Sequence, residues 1–591
     1  MSTPDPVTAV PRKRRRVAAI AAGSLGIVAV VGGGAWAWQQ WMGQGPQAAE
    51  VLPGDTLAYV GLDLDPPGGQ KLAAYDTLRR FPSLEKQLGI GSQDDLRRAV
   101  IDKVSDDSGC DIGLDDIEPW AGDRAALAVV PQGKPEAVVV VQASDTGKAE
   151  RGLDDIIAKC DGDLGYATGD GWVVLARNEK VAQRVVADGR KRSLSDDTDF
   201  QELTGAAGDP GVITLYAAPE AGKAALKAIG DDPFLLFFLP SMFSWTDPLG
   251  GFTGFLATVP SSLAEGEPSG EMEAMPQQTP EEKALFARME KYDQLTPAEQ
   301  AQLDKDWEAY FNKQTDGGPA LDDDSFDLEV PKELRRRLEA FSGIGGVARF
   351  DDGNLELEVI GDPMLASPTD RYDGDDALDV LADLPDDVAA AFGGRFAEGW
   401  AERSLGEGFF GGETSPKEMA KSLEKATGLT LADLETLGGD RFAIVAGPGL
   451  ADTFTGHGDQ VPVAIRIAGD ADAIEKALDK LRAALGTKDA AHVISRKVDG
   501  GIVIGADQDF VDEVAEPAKR LGDSDRFRGA VPDAKGATTI TYVDFDAGDW
   551  LKRITAGDLK ASDVAPLATA GLAMTREGDR ERMVLRVAFD R

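Results

Sequence analysis

The side chains able to do chemistry in this 591-residue chain are few in kind: two cysteines, two histidines and 103 Asp and Glu residues. With His457 and His492 alone, no His-rich zinc site, H-E-x-x-H helix or His-paired nucleophile can be drawn. The sequence has no G-x-x-x-x-G-K-[ST] loop, no G-x-S-x-G elbow and no C-x-x-C pair, the usual signatures of NTPases, α/β-hydrolases and thioredoxin-like proteins. A glycosidase needs only two carboxylates at the right separation, so a hydrolase acting on wall glycan stays open as an alternative, with no motif to locate it. The acidic runs from Asp322 to Glu329 and from Asp370 to Asp379 lack the alternating spacing of a calcium loop and read as solvated linkers. No catalytic residue, cofactor or metal ligand is assigned.

Two other groups of residues invite a role. Cys110 and Cys160 suit a disulfide, which would close a loop of about 50 residues and contribute roughly 4 kcal/mol in the chain-entropy model. Two thiols buried separately as small hydrophobes are the other reading. The run Phe234, Leu235, Leu236, Phe237, Phe238, Leu239, Pro240, Ser241, Met242, Phe243, Ser244, Trp245 is too short to span a bilayer. It reads as core packing, as a membrane-contact patch or as the wall of an apolar ligand pocket.

The elements that must position these residues begin with the N-terminus. Arg12-Lys13-Arg14-Arg15-Arg16 precedes a charge-free apolar run from Val17 to Trp38, which as a helix would extend about 33 Å. Residues 1–16 are therefore expected to form a cytoplasmic basic tail and 17–41 a single transmembrane helix. Trp36, Trp38 and Trp41 would sit at the far interface, with the C-terminal bulk outside the plasma membrane. Cleavage after the small-x-small triplet Ala35-Trp36-Ala37 is the competing reading. The formal charge of −41 repels nucleic acid, so no nucleic-acid partner is expected.

Beyond a linker at 42–50 the chain reads as a divergent tandem duplication. Gly122-Asp123-Arg124 and Gly439-Asp440-Arg441 each open an apolar strand ending on a proline, Pro131 and Pro448. Each strand is followed by another, then by a helix, and then by a hairpin turning at Asp170-Gly171 or Asp499-Gly500. Phe200 matches Phe527, and the next strands end on Tyr216 and Tyr542. The expected fold is α+β, a tandem-duplicated ectodomain of mainly antiparallel sheets with helices packed on one face. Its repeats occupy 51–363 and 377–591, joined by a linker at 364–376. An acidic insertion at 260–331 reads as a helical hairpin, because Thr279-Pro280 and Thr296-Pro297 each supply a capping Thr and a first-turn Pro.

The opening of this region, from Leu52-Pro53-Gly54-Asp55-Thr56 through Leu62-Asp63-Leu64-Asp65-Pro66 to Phe81-Pro82, resembles an actinobacterial membrane-anchored family catalogued as domain of unknown function 3352. The resemblance implies a single-span envelope protein and brings no activity and no site residues. The expected function is therefore a non-enzymatic binding or interaction protein of the cell envelope, with an apolar ligand or another envelope protein as partner. A structural spacer is a further alternative.

Overall fold

The computed structural model describes residues 47–66, 70–81, 113–159, 164–231, 332–363, 371–406, 416–451, 461–532, 534–554 and 561–590, with single positions at 303 and 330. Cys110, Cys160, the apolar run from Phe234 to Trp245, the span at 17–41 and nearly all of the insertion at 260–331 lie outside the described residues.

Sixteen strands form among the described residues, several of them, such as β3, β13 and β14, rich in β-branched residues. The first eight are β1 (Ala58–Asp63), β2 (Ala121–Gln132), β3 (Lys134–Ala143), β4 (Gly165–Gly169), β5 (Trp172–Ala176), β6 (Ile213–Ala217), β7 (Ile344–Asp351) and β8 (Asn354–Gly361). The second eight are β9 (Ala390–Gly394), β10 (Arg441–Ala446), β11 (Val463–Ala468), β12 (Ile494–Val498), β13 (Gly501–Gly505), β14 (Ala537–Asp544), β15 (Leu567–Glu577) and β16 (Arg580–Phe589). All of them join one antiparallel sheet in the order β12-β13-β11-β10-β9-β14-β15-β16-β8-β7-β6-β1-β2-β3-β5-β4. Read inward from either edge, the strands hold corresponding places, and β8 meets β16 at the centre.

Helices cover both faces of this sheet. On one face lie α1 (Thr146–Lys159), through Leu153 and Ile156 against Val173, and α2 (Ala471–Ala490), through Ile474 and Leu478 against Ile467 and Ile502. The other face carries the two large cores. There Val181 and Val185 of the helix Glu179–Gly189 pack on Val138, Val140 and Val174, while Val511 and Val514 of the helix Gln508–Ala515 pack on Ala443, Val445 and Val503. Each large core holds a buried phenylalanine edge-on to a strand tyrosine. Phe200 lies 5.1 Å from Tyr216, and Phe527 lies 5.2 Å from Tyr542, between ring centroids.

Three expectations are corrected here. The two regions do not form separate sheets. Each ends in a hairpin with a free edge, and these edges, β8 and β16, satisfy each other's backbone groups, so the sheet runs through. The helices are not confined to one face, because strands such as β5 bury both sides, with Val174 in one core and Val173 in another. Finally, among the described residues no helix is long and apolar enough to cross a membrane. The 20-residue α2 is amphipathic, with Asp472, Glu475, Asp479 and Arg482 on its wet side. The single-pass anchor, the plasma-membrane placement with its cytoplasmic N-terminus and the cell-envelope address thus have no support in the structure and are not carried forward.

Phe200 and Phe527 are essentially fully buried. Phe200→Ala or Phe527→Ala is expected to cost about 3 to 5 kcal/mol, read as a lowered urea midpoint with an unchanged slope.

Candidate functional site

The corresponding places in the sheet allow each core to be compared strand by strand, and they differ most where β10, β11 and β13 meet the helix α3 (Ala377–Ala382). In the first core Trp172 opens β5, opposite Gln142 of β3 and Gly169 of β4. Its ring is buried with Val140 and Val51 in one cluster. In the second core the same place is held by Gly501, opposite Ala468 of β11 and Val498 of β12. A Cβ there would lie 2.1 Å from the Ile467 carbonyl oxygen, so this position stays bare.

Beside it lies a cleft of about 130 Å³, lined by Asp379, Val380, Asp383, Arg441, Arg466, Ile467, Ala468, Val498, Asp499, Gly500 and Gly501. Arg466 stands on β11 opposite Ala443 and Val503, where β3 has the buried Val140. Asp383 closes α3 one residue before Leu384-Pro385, as Val51 stands before Leu52-Pro53. An apolar pair in one core is thus a charged pair in the other.

The two guanidiniums differ in how closely they are paired. Arg466 donates from Nη1 to the Val514 carbonyl at 3.2 Å, and its Nη2 lies 3.6 Å from Asp383, beyond hydrogen-bond reach. Asp383 is shared: its Oδ1 accepts from Arg520 at 2.8 Å while its Oδ2 faces Arg466. Burial pulls the Arg466 guanidinium below its ordinary value; Asp383 opposes the shift, and Arg520 adds to it. At the mouth, Arg441 donates from Nη1 to Asp379 at 3.1 Å and lies 3.4 Å from Asp376. Asp499 is exposed on the turn between β12 and β13.

The cleft therefore offers two guanidinium forks, one of them four-fifths or more buried, beside three carboxylates and an apolar wall of Val380, Ile467 and Val498. Forks of this kind match a carboxylate bidentately, and the aspartates suit an ammonium group. Sequence assigned none of these residues a binding role: Arg441 and Asp499-Gly500 entered only as markers of the repeat, and Asp379 as the end of an acidic run. The available signal was an arginine and a glycine at places where the matching strands carry Val140 and Trp172. The candidate residues read from sequence, the cysteine pair and the run at Phe234, lie outside the described residues. Comparison with family models, with curated proteins and with solved structures finds no match.

Replacing a buried ion pair by well-packed apolar residues is often neutral or stabilising by roughly 1 to 4 kcal/mol. The double variant Asp383→Val with Arg466→Val, which imitates the first core, is expected to unfold at the same or higher urea concentration. A loss of more than about 1 kcal/mol would mean that the charges serve the fold.

Proposed function

We propose that the chain is a non-enzymatic binding protein whose second core takes a small zwitterion, a molecule of amino-acid size with one carboxylate and one ammonium. The observation that carries this reading is Arg466, a desolvated, under-neutralised cation facing a cleft where the matching position is a buried valine. A buried charge without a good partner is costly, and a bound carboxylate would relieve that cost. The cleft volume supports a small occupant, since an apolar cavity of roughly 150 Å³ takes benzene, with about six non-hydrogen atoms. Three aspartates around two arginines make the cleft poor for a dianion and leave acceptors for an ammonium group.

The test is calorimetric titration of the full chain with glycine and L-alanine, alongside acetate and methylamine as half-ligands. The zwitterions are expected to bind and each half-ligand to bind more weakly, because one set of charges goes unused. Arg466→Met should weaken L-alanine binding about ten- to a hundredfold, the worth of a charged hydrogen bond. Ala468→Leu should block the cleft sterically without altering its charge. Equal binding of acetate and L-alanine, or retention of L-alanine affinity in Arg466→Met, would sink the proposal.

A further inference from the structure

The central pair of strands carries a pattern of charge that the rest of the sheet does not need. Glu356 and Glu358 lie on β8, and Arg582 and Arg586 lie on β16, with Arg586 opposite Glu356, Val584 opposite Glu358 and Arg582 opposite Ile360. All share the face that holds the two large cores. Glu356, Glu358 and Arg586 are buried. Arg586 Nε lies 3.1 Å from Glu356, Arg582 pairs closely with Glu358, and Arg349 of β7 bridges both glutamates. On the opposite face the same strands contribute Leu357, Val359, Met583 and Leu585 to an apolar cluster with Leu572 and Met574.

Register shows what this pattern distinguishes. Counted from the hairpin turns Asp352-Gly353 and Gly578-Asp579, Glu358 and Val584 are each the fifth residue along their strands, and they face each other. The seam therefore passes through equivalent positions, and the same backbone pairing is open to two copies of β8 or two copies of β16. In a β8 pair Glu358 would face Glu358, and in a β16 pair Arg582 would face Arg586. Either like-charge pair would be held in a dry place.

We infer that the seam is a charge-coded interface: the acidic edge of β8 accepts the basic edge of β16 as its partner and rejects a second copy of itself. Backbone pairing gives the joint its strength, as it would for any two edges, and the glutamate–arginine ladder restricts which edges may meet. Other contacts cross the seam, including Arg580 to Glu202 at 2.9 Å and Phe81 edge-on to Phe589 at 5.9 Å. They lie at the ends of β16 and do not face equivalent strands.

The inference is independent of the cleft and is tested on the full chain with a protease site placed between Pro363 and Arg371. After cutting, the two fragments should co-elute as a one-to-one complex in low salt, with slow amide exchange at β8 and β16. Arg582→Glu should separate the cut fragments or speed exchange at those strands by about tenfold or more, and adding Glu358→Arg should restore the complex. If Arg582→Glu yields no folded protein, the reciprocal double variant decides alone: recovery of the one-to-one complex supports charge coding, and no recovery overturns it. Co-elution of the cut Arg582→Glu protein with unchanged exchange also overturns it, as would fragments of the native sequence that separate or pair with their own kind.

Discussion

Everything else in this fold depends on two strand edges having no solvent to face. An eight-stranded antiparallel sheet that ends in a hairpin leaves one side of its last strand with unpaired N–H and C=O groups, which invites pairing with another chain. Here β8 and β16 remove both such edges by meeting each other. The consequence is a single sheet with its outer edges at β4 and β12, both short. The edge at β12 is further guarded by Arg496 and Lys497, each tied to acidic side chains of a neighbouring helix. Charge thus guards the β12 edge, while the β4 edge, Gly165–Gly169, is short and carries no charged residue.

Corresponding places in the sheet separate scaffold from addition. Phe200 and Phe527, the tyrosines they meet, and the valine-rich helices beneath them recur because each core needs the same bulk at the same depth. Where the cores part company, the change runs against stability. A tryptophan becomes a glycine, a buried valine becomes Arg466, and Val51 becomes Asp383. Each step lowers apolar burial or buries charge, and all three converge on one cleft. Packing does not require such a set, and sites that bind commonly trade stability for a preorganised polar group.

Much of the local structure was legible in the sequence because it rests on short-range rules. The Asp170-Gly171 turn is one case: both residues adopt positive φ, 52° and 86°, as a tight hairpin demands. Apolar runs marked β2 and β3, and 3.6-residue spacing marked α1 and α2. What the sequence did not disclose was long-range. Nothing local says that Glu356 and Glu358, 200 residues and more from Arg582 and Arg586, are their partners, so the seam was missed and two sheets were expected in place of one. The two-sided helical cover was missed for a related reason. Val173 and Val174 form a continuous apolar pair, and such runs do not say how many faces they bury. The cleft was hidden because its walls come from segments far apart in sequence, residues 379–383, 441, 466–468 and 498–501, which form no motif.

The acidity of the chain bears on both the seam and the cleft. At −41 overall, the molecule repels itself, and any cation it encloses is drawn inward by the surrounding field. Arg582 shows the opposing pressure: burial lowers its guanidinium from the ordinary value, and Arg349 beside it adds to the shift. Its close pair with Glu358 offsets that cost across the joint. Arg466 feels the same desolvation, but its nearest carboxylate, Asp383, stands 3.6 Å away and also accepts from Arg520. One arginine is thus closely paired across the joint, and the other stands farther from its carboxylate on the wall of a cleft. On the reading proposed above, that looser pairing is what a ligand carboxylate would exploit.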